Sequence, residues 1–258
     1  MRVREYRSAG SAFITSKSRS TMNSPSRFRS FFWQHPEWWS LALSALAWSV
    51  LLRPHIGFRH HQYPHTSPRF AAVWSGEVLW WMVMVIAMMW PLIGGRVRAT
   101  AVRSFGPRRA RAVVVFMFGY VAVWLTAGVI VTFLILCVRS HRSIDATFLF
   151  IVFMLAAAWQ LTPYKELALR LCHRTIPLSP QGWRADHDCL RYGWIIGGSC
   201  LLSCGFLMAA CTVSGHNMAA MLGTGAIGFV ERYSFRPNHR ILAGAIAVVA
   251  VTCVLTPR

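Results

Sequence analysis

Acidic residues are scarce in this chain: 8 Asp and Glu stand among 258 residues, against 27 Lys and Arg. Charged residues of both signs reach only 14%, where a soluble domain carries about 25%. That is too little charge to solvate a globular surface, so a soluble fold is excluded. A cysteine framework is also missing. The cysteines, Cys137, Cys172, Cys189, Cys200, Cys204, Cys211 and Cys253, are odd in number and form no CxxC. Most lie inside apolar runs, where disulfide scaffolds are not built. No phosphate-cradling loop and no nucleophile–base pair can be placed, so the chain is not read as an enzyme and no catalytic residue is assigned. The N-terminal stretch has neither an apolar core nor a cleavage site and makes a poor signal peptide.

What is present is hydrophobicity gathered into runs. Apolar residues make up 55% of the chain, and long apolar runs are the signature of membrane spans. Residues 1–37 read as a disordered basic tail, rich in Ser and Arg. Residues 38–258 read as a transmembrane domain. Seven apolar segments can be placed, near 38–52, 70–94, 112–138, 144–162, 192–213, 216–230 and 241–255. The first, sixth and seventh are short for the roughly 20 residues a span needs. The expected fold is therefore an all-α, polytopic transmembrane bundle of six or seven helices. The long loop 163–191, with Pro177, Pro180 and Gly182, reads as partly irregular.

The net charge of +19 does not indicate nucleic acid, because the basic residues lie between apolar runs and no recognition module accompanies them. Loop-borne charge instead sets membrane orientation. With the N-terminus in the cytoplasm and sides alternating, the inner segments 1–37, 95–111, 163–191 and 231–240 hold 7, 6, 5 and 3 basic residues. That is 21 of the 27 Lys and Arg. The bias supports an N-in, C-out protein crossing the plasma membrane several times.

Chemistry concentrates on sulfur. At about 100° per residue, Cys200, Cys204, Met208 and Cys211 fall on one narrow helical stripe. Thiolates and thioethers are soft ligands that favour Cu(I). The same small side chains also suit a packing seam between helices. Met84 and Met88 share a face in the second segment, with Glu77 near that face. An intramembrane carboxylate is a functional candidate in its own right, unless it lies at the outer interface and is solvated. In the sixth segment Asn217, Met221, Thr224, Gly228 and Glu231 form a third stripe. Glu231 beside Arg232 at its inner end reads as a solvated pair. Cys211, His216 and Met221 approach the outer face. An outer loop carries His55, His60, His61 and His65, in a spacing that matches no closed zinc motif.

Several short motifs stand in a fixed order. Trp81, Met84, Ala87, Met88, Met89 and Pro91 form W-x-x-M-x-x-A-M-M-x-P, and Tyr120 and Trp124 form Y-x-x-x-W. Gln160, Leu161, Thr162, Pro163 and Lys165 form Q-L-T-P-x-K, with Cys172 seven residues later. Cys200, Cys204, Leu207 and Met208, and then Asn217, Met221 and Glu231, complete the series. Over about residues 80–237 the chain thereby resembles a family of predicted metal-binding integral membrane proteins, some of which are similar to copper chaperones serving a tyrosinase. The chain departs from that pattern at Ser203, where a Cys before Cys204 is usual, and at Ala168, where a Cys is common. Gly205 replaces a Trp and His216 a Met. Two expected thiols are absent, which leaves either a site that uses His216 and Cys211 or no site at all.

The leading expectation is a membrane protein that binds Cu(I) in its outer half and passes it to an extracytoplasmic copper protein. The candidate ligands are Cys200, Cys204, Met208, Met84, Met88, Met221, Cys211 and His216. The alternatives are a metal-free membrane scaffold and a small-ion or proton-coupled carrier using Glu77.

Overall fold

A computed structural model describes residues 37–52, 70–104, 106–141, 143–174, 176–179, 182–234 and 238–255. All but the last residue of the basic tail, and the loop bearing His55, His60, His61 and His65, lie outside the described residues. Among those described the fold is all-α. The helices are α1 (Glu37–Leu51), α2 (Phe70–Arg103), α3 (Arg109–His141, preceded by a 3₁₀ turn at Gly106–Arg108), α4 (Ala146–Gln160), α5 (Pro163–His173), α6 (Gly182–Val213), α7 (Met218–Tyr233) and α8 (His239–Leu255).

Each of the seven apolar segments forms a helix. The loop expected to be partly irregular is so only in its middle, around Pro177: α5 occupies its start and the first turns of α6 its end. Thr162 caps α5 with its side-chain oxygen toward the Lys165 amide, and Pro163 sits in the first turn, where a missing N–H costs nothing. The motif Q-L-T-P is thus a helix stop followed by a helix start.

Three helical segments, Phe70–Arg103, Gly106–His141 and Gly182–Val213, are long and apolar enough to cross a membrane. Helices α4 and α5 pass the same test as a pair bent by 67°. The long helices α2, α3 and α6, of 34, 33 and 32 residues, each extend about 50 Å, beyond a hydrocarbon core of about 30 Å. Much of the excess is arginine-bearing and gathers at one end. There Arg108 and Arg111 both pair with Asp186, joining α3 to α6, and Arg103 donates to the carbonyl of Ile176. At the opposite end Arg139 pairs with Glu77 and donates to the carbonyl of Thr212. Glu77 is thus bound to α3.

Helices α3 and α6 make the most extensive contact in the bundle. Gly193-Trp194-Ile195-Ile196-Gly197 is a G-x-x-x-G element, the spacing that lets helix backbones approach closely. A Cβ on Gly193 would stand 2.0 Å from the carbonyl oxygen of Phe116, and one on Gly119 would stand 2.5 Å from that of Leu190. Helix α1 docks for a different reason. Pro91 within α2 has no N–H, so the carbonyl of Ala87, four residues earlier, loses its helical partner. Ser44 and Trp48 of α1 both donate to that oxygen, at 2.6 and 3.0 Å. At the other turn, Gly215 and His216 take left-handed backbone angles (φ 71° and 58°). Asn217 then caps α7 by accepting from Ala219 and Ala220, so α6 and α7 form a tight hairpin.

Two stability outcomes follow, both read by thermal unfolding in detergent. Ser44→Ala with Trp48→Phe strips the Ala87 carbonyl of its donors and is expected to cost about 1–3 kcal/mol. Ser49→Ala, whose hydroxyl bonds only within α1, should change nothing. Gly193→Ala should destabilise strongly, whereas Gly198→Ala, with open space around its Cβ position, should not.

Candidate metal centre

The bend after α4 turns α5 back along α6. On α5, Lys165, Ala168, Leu169 and Cys172 are the buried face, the i, i+3, i+4, i+7 spacing of an amphipathic helix. Lys165 reaches between α6 and α7. Its ammonium lies 2.9 Å from Glu231 Oε2 and donates to the carbonyl of Ser203, and both charged side chains are 1% exposed. Glu231 therefore does not form the solvated pair with Arg232 read from the sequence. It is a buried partner of Lys165.

Two turns further along the same face, Cys172 Sγ donates to Ser199 Oγ at 3.2 Å and toward Cys200 Sγ at 3.9 Å. Cys204 follows one turn along α6, its sulfur 3.5 Å from Ser203 Oγ and within the field of Lys165 and Glu231. Arg232 of α7 lies close enough for its charge to act on Cys172, Cys200 and Tyr120. Three cysteines, two cations and a carboxylate from three helices thus meet in the interior. Several buried polar atoms around them lack a hydrogen-bond partner of normal geometry: the Tyr120 hydroxyl, which faces Cys200, one Arg232 Nη, and Glu231 Oε1. Buried polar groups left in this way call for an occupant such as water or an ion.

The other expected ligands lie elsewhere. Cys211 is eleven residues beyond Cys200, roughly 16 Å along the helix, and its sulfur contacts Thr224 Oγ1 at 3.0 Å. Met84, Met88, Met208 and Met221 all belong to the buried core, with the Met88 methyl packed beside Gly225. His216 is half-buried in the hairpin, its ring 6.3 Å from that of Trp80. The sulfur stripe is therefore a row along α6 with a thiol pair at one end. Among the described residues no three His, Cys, Asp or Glu side chains converge as a ready metal site.

A model of the PpoB2 copper chaperone family matches residues 78–256. The chain belongs to this copper chaperone family. Membership gives it a copper-related function, and the match extends past the motifs to include all of α8. No curated protein and no solved structure matches the chain. The family's motifs fall on the features described above. Trp81 donates to the carbonyl of Trp124, and the Ala87/Pro91 pair receives α1. Lys165 and Glu231 form the interior ion pair, and Ala168 lies one turn before Cys172 on the buried face.

Sequence reasoning did not assemble Cys172, Lys165 and Arg232 into one site. The available signal was the Lys165–Cys172 spacing of seven, which places both on one helical face. Reading 163–191 as a loop, with no helix placed at its start, hid it.

Breaking a buried ion pair on one side leaves an uncompensated charge and costs about 3–5 kcal/mol. Lys165→Met alone is expected to reduce unfolding stability in detergent by that order. Lys165→Met combined with Glu231→Leu should recover much of the loss.

Proposed function

We propose that this protein is a multi-pass membrane copper chaperone that carries copper as Cu(I) on Cys172 and Cys200, with Cys204 as an exchange ligand. The observation that carries the reading is the pair of buried sulfurs 3.9 Å apart. Metal–thiolate bonds are about 2.3 Å for zinc, so two such bonds span up to about 4.6 Å. A separation of 3.9 Å suits a bent S–copper–S unit, or a linear one after a small side-chain rotation. Soft sulfur donors favour Cu(I). The place of Ala168 and Ser203 beside these thiols supports the same location, since the related pattern puts further cysteines there.

In this reading the exposed leucines, valines and phenylalanines around the bundle face lipid. The arginine-rich end is cytoplasmic, following the bias of Lys and Arg. Copper would leave the thiol pair through the row of Cys204, Met208 and Cys211 toward Met221 and His216, exchanging one sulfur for the next. The recipient at the outer end is an extracytoplasmic copper protein, of the tyrosinase kind that the family resemblance implies. The role is transfer, with no bond of the cargo made or broken beyond its ligation.

A second reading makes the thiols a packing seam in a metal-free scaffold. The glycine contacts between α3 and α6 favour it, because small residues of α6 demonstrably serve close packing. Copper content of anaerobically purified, Cu(I)-loaded protein separates the two. The wild type should hold close to one equivalent, Cys172→Ser with Cys200→Ser almost none, and Cys137→Ser the wild-type amount. Equal copper in wild type and double variant would overturn the chaperone site.

A further inference from the structure

The thiol pair is surrounded by an unusual set of charges for a bundle interior. Lys165 and Glu231 form a pair that is neutral in sum, whether its proton sits on nitrogen or on oxygen. Arg232 remains. Its charge acts on both Cys172 and Cys200, and one of its buried nitrogens has no hydrogen-bond partner. The Tyr120 hydroxyl, fully buried, also faces Cys200 without a partner of normal geometry. Arg96 and His173 lie one step outward and bond each other at 3.4 Å. His239 stands at the margin of Glu231.

We infer that Arg232 makes this site selective for a monovalent metal ion, by supplying the one positive charge that neutralises a metal bound between the Cys172 and Cys200 thiolates. The inference rests on the proposed copper site. On binding, the two sulfurs give up to solvent whatever protons they carry and two S–metal bonds form, with no change in oxidation state. A monovalent ion with two thiolates carries one negative charge, and Arg232 brings the total to zero. A divalent ion at the same place would leave an excess positive charge in a low-dielectric interior, where uncompensated charge is costly. The unpartnered Arg232 nitrogen is free to face the negative charge of the metal-bound thiolates. The Tyr120 hydroxyl is placed to donate to the Cys200 thiolate once the metal is bound. Arg232 is thus a positioning and charge-compensating residue beside the ligands, and Tyr120 supports one of them.

The test compares metals of different charge on the full-length protein in detergent. Cu(I) affinity is read by competition with a Cu(I)-specific chromophoric chelator, and Ag(I) and Zn(II) are offered as competitors. In the wild type, Ag(I) should displace Cu(I) and Zn(II) should not. Loss of a residue that supports metal ligands typically weakens affinity 10–100-fold. Arg232→Gln should weaken Cu(I) binding by about that factor while narrowing the gap to Zn(II), and Arg232→Lys should restore most of the discrimination. Equal weakening for Cu(I) and Zn(II) in Arg232→Gln would mean a structural role alone and overturns the inference. So does displacement of Cu(I) by Zn(II) in the wild type, which needs no variant to fold. Failure of the underlying site looks different: Cys172→Ser with Cys200→Ser would then bind Cu(I) as the wild type does.

Discussion

An ammonium and a carboxylate buried together inside an apolar bundle must keep each other, because neither has water to fall back on. Lys165 and Glu231 are held to that condition, and much of the interior follows from it. For Lys165 to reach Glu231, the chain must stop at Gln160, turn at Thr162-Pro163 and run back along α6. The same turn carries Cys172 to Cys200 and Ser199, and it brings the end of α7, with Arg232, against the sulfurs. Ion pair, bend and thiol pair are one arrangement seen from three sides.

The rest of the bundle obeys a related constraint on backbone groups. Without water, each carbonyl released from its helical bond needs another donor. The proline in α2 releases the carbonyl of Ala87, and the short helix α1 satisfies it twice. That explains why so short a helix has a defined place. The end of α6 is handled by Arg139, which bonds the carbonyl of Thr212 while pairing with Glu77. Glycine has the complementary part: at Gly119 and Gly193 the neighbouring backbone occupies the space where a side chain would be.

These constraints fit copper handling in a particular way. A chaperone must hold its cargo and release it. A rigid site of three or four converging ligands would retain copper, and none is seen among the described residues. In the proposed site, a thiol pair followed by sulfur side chains along one helix would offer partial coordination at successive positions instead. There the cations beside the pair would keep the thiolate charge tolerable without adding ligands that would have to be broken on release.

Much of the architecture was legible in the sequence, since apolar runs and their lengths fix where helices form and the distribution of Lys and Arg marks their ends. All seven segments became helices, and the copper chaperone resemblance was carried by motif residues that proved structural as much as chemical: Pro91, Thr162 and Asn217 stop, cap or free backbone groups. Sequence periodicity also grouped Cys200 with Cys204 correctly, because both lie on one helix, where angle and rise are set locally. It had no means of joining Cys172 to Cys200, or Lys165 to Glu231. Those pairs come from different helices, and their meeting depends on the 67° bend and on how closely α5, α6 and α7 pack, quantities fixed by long-range contacts and not by any single segment.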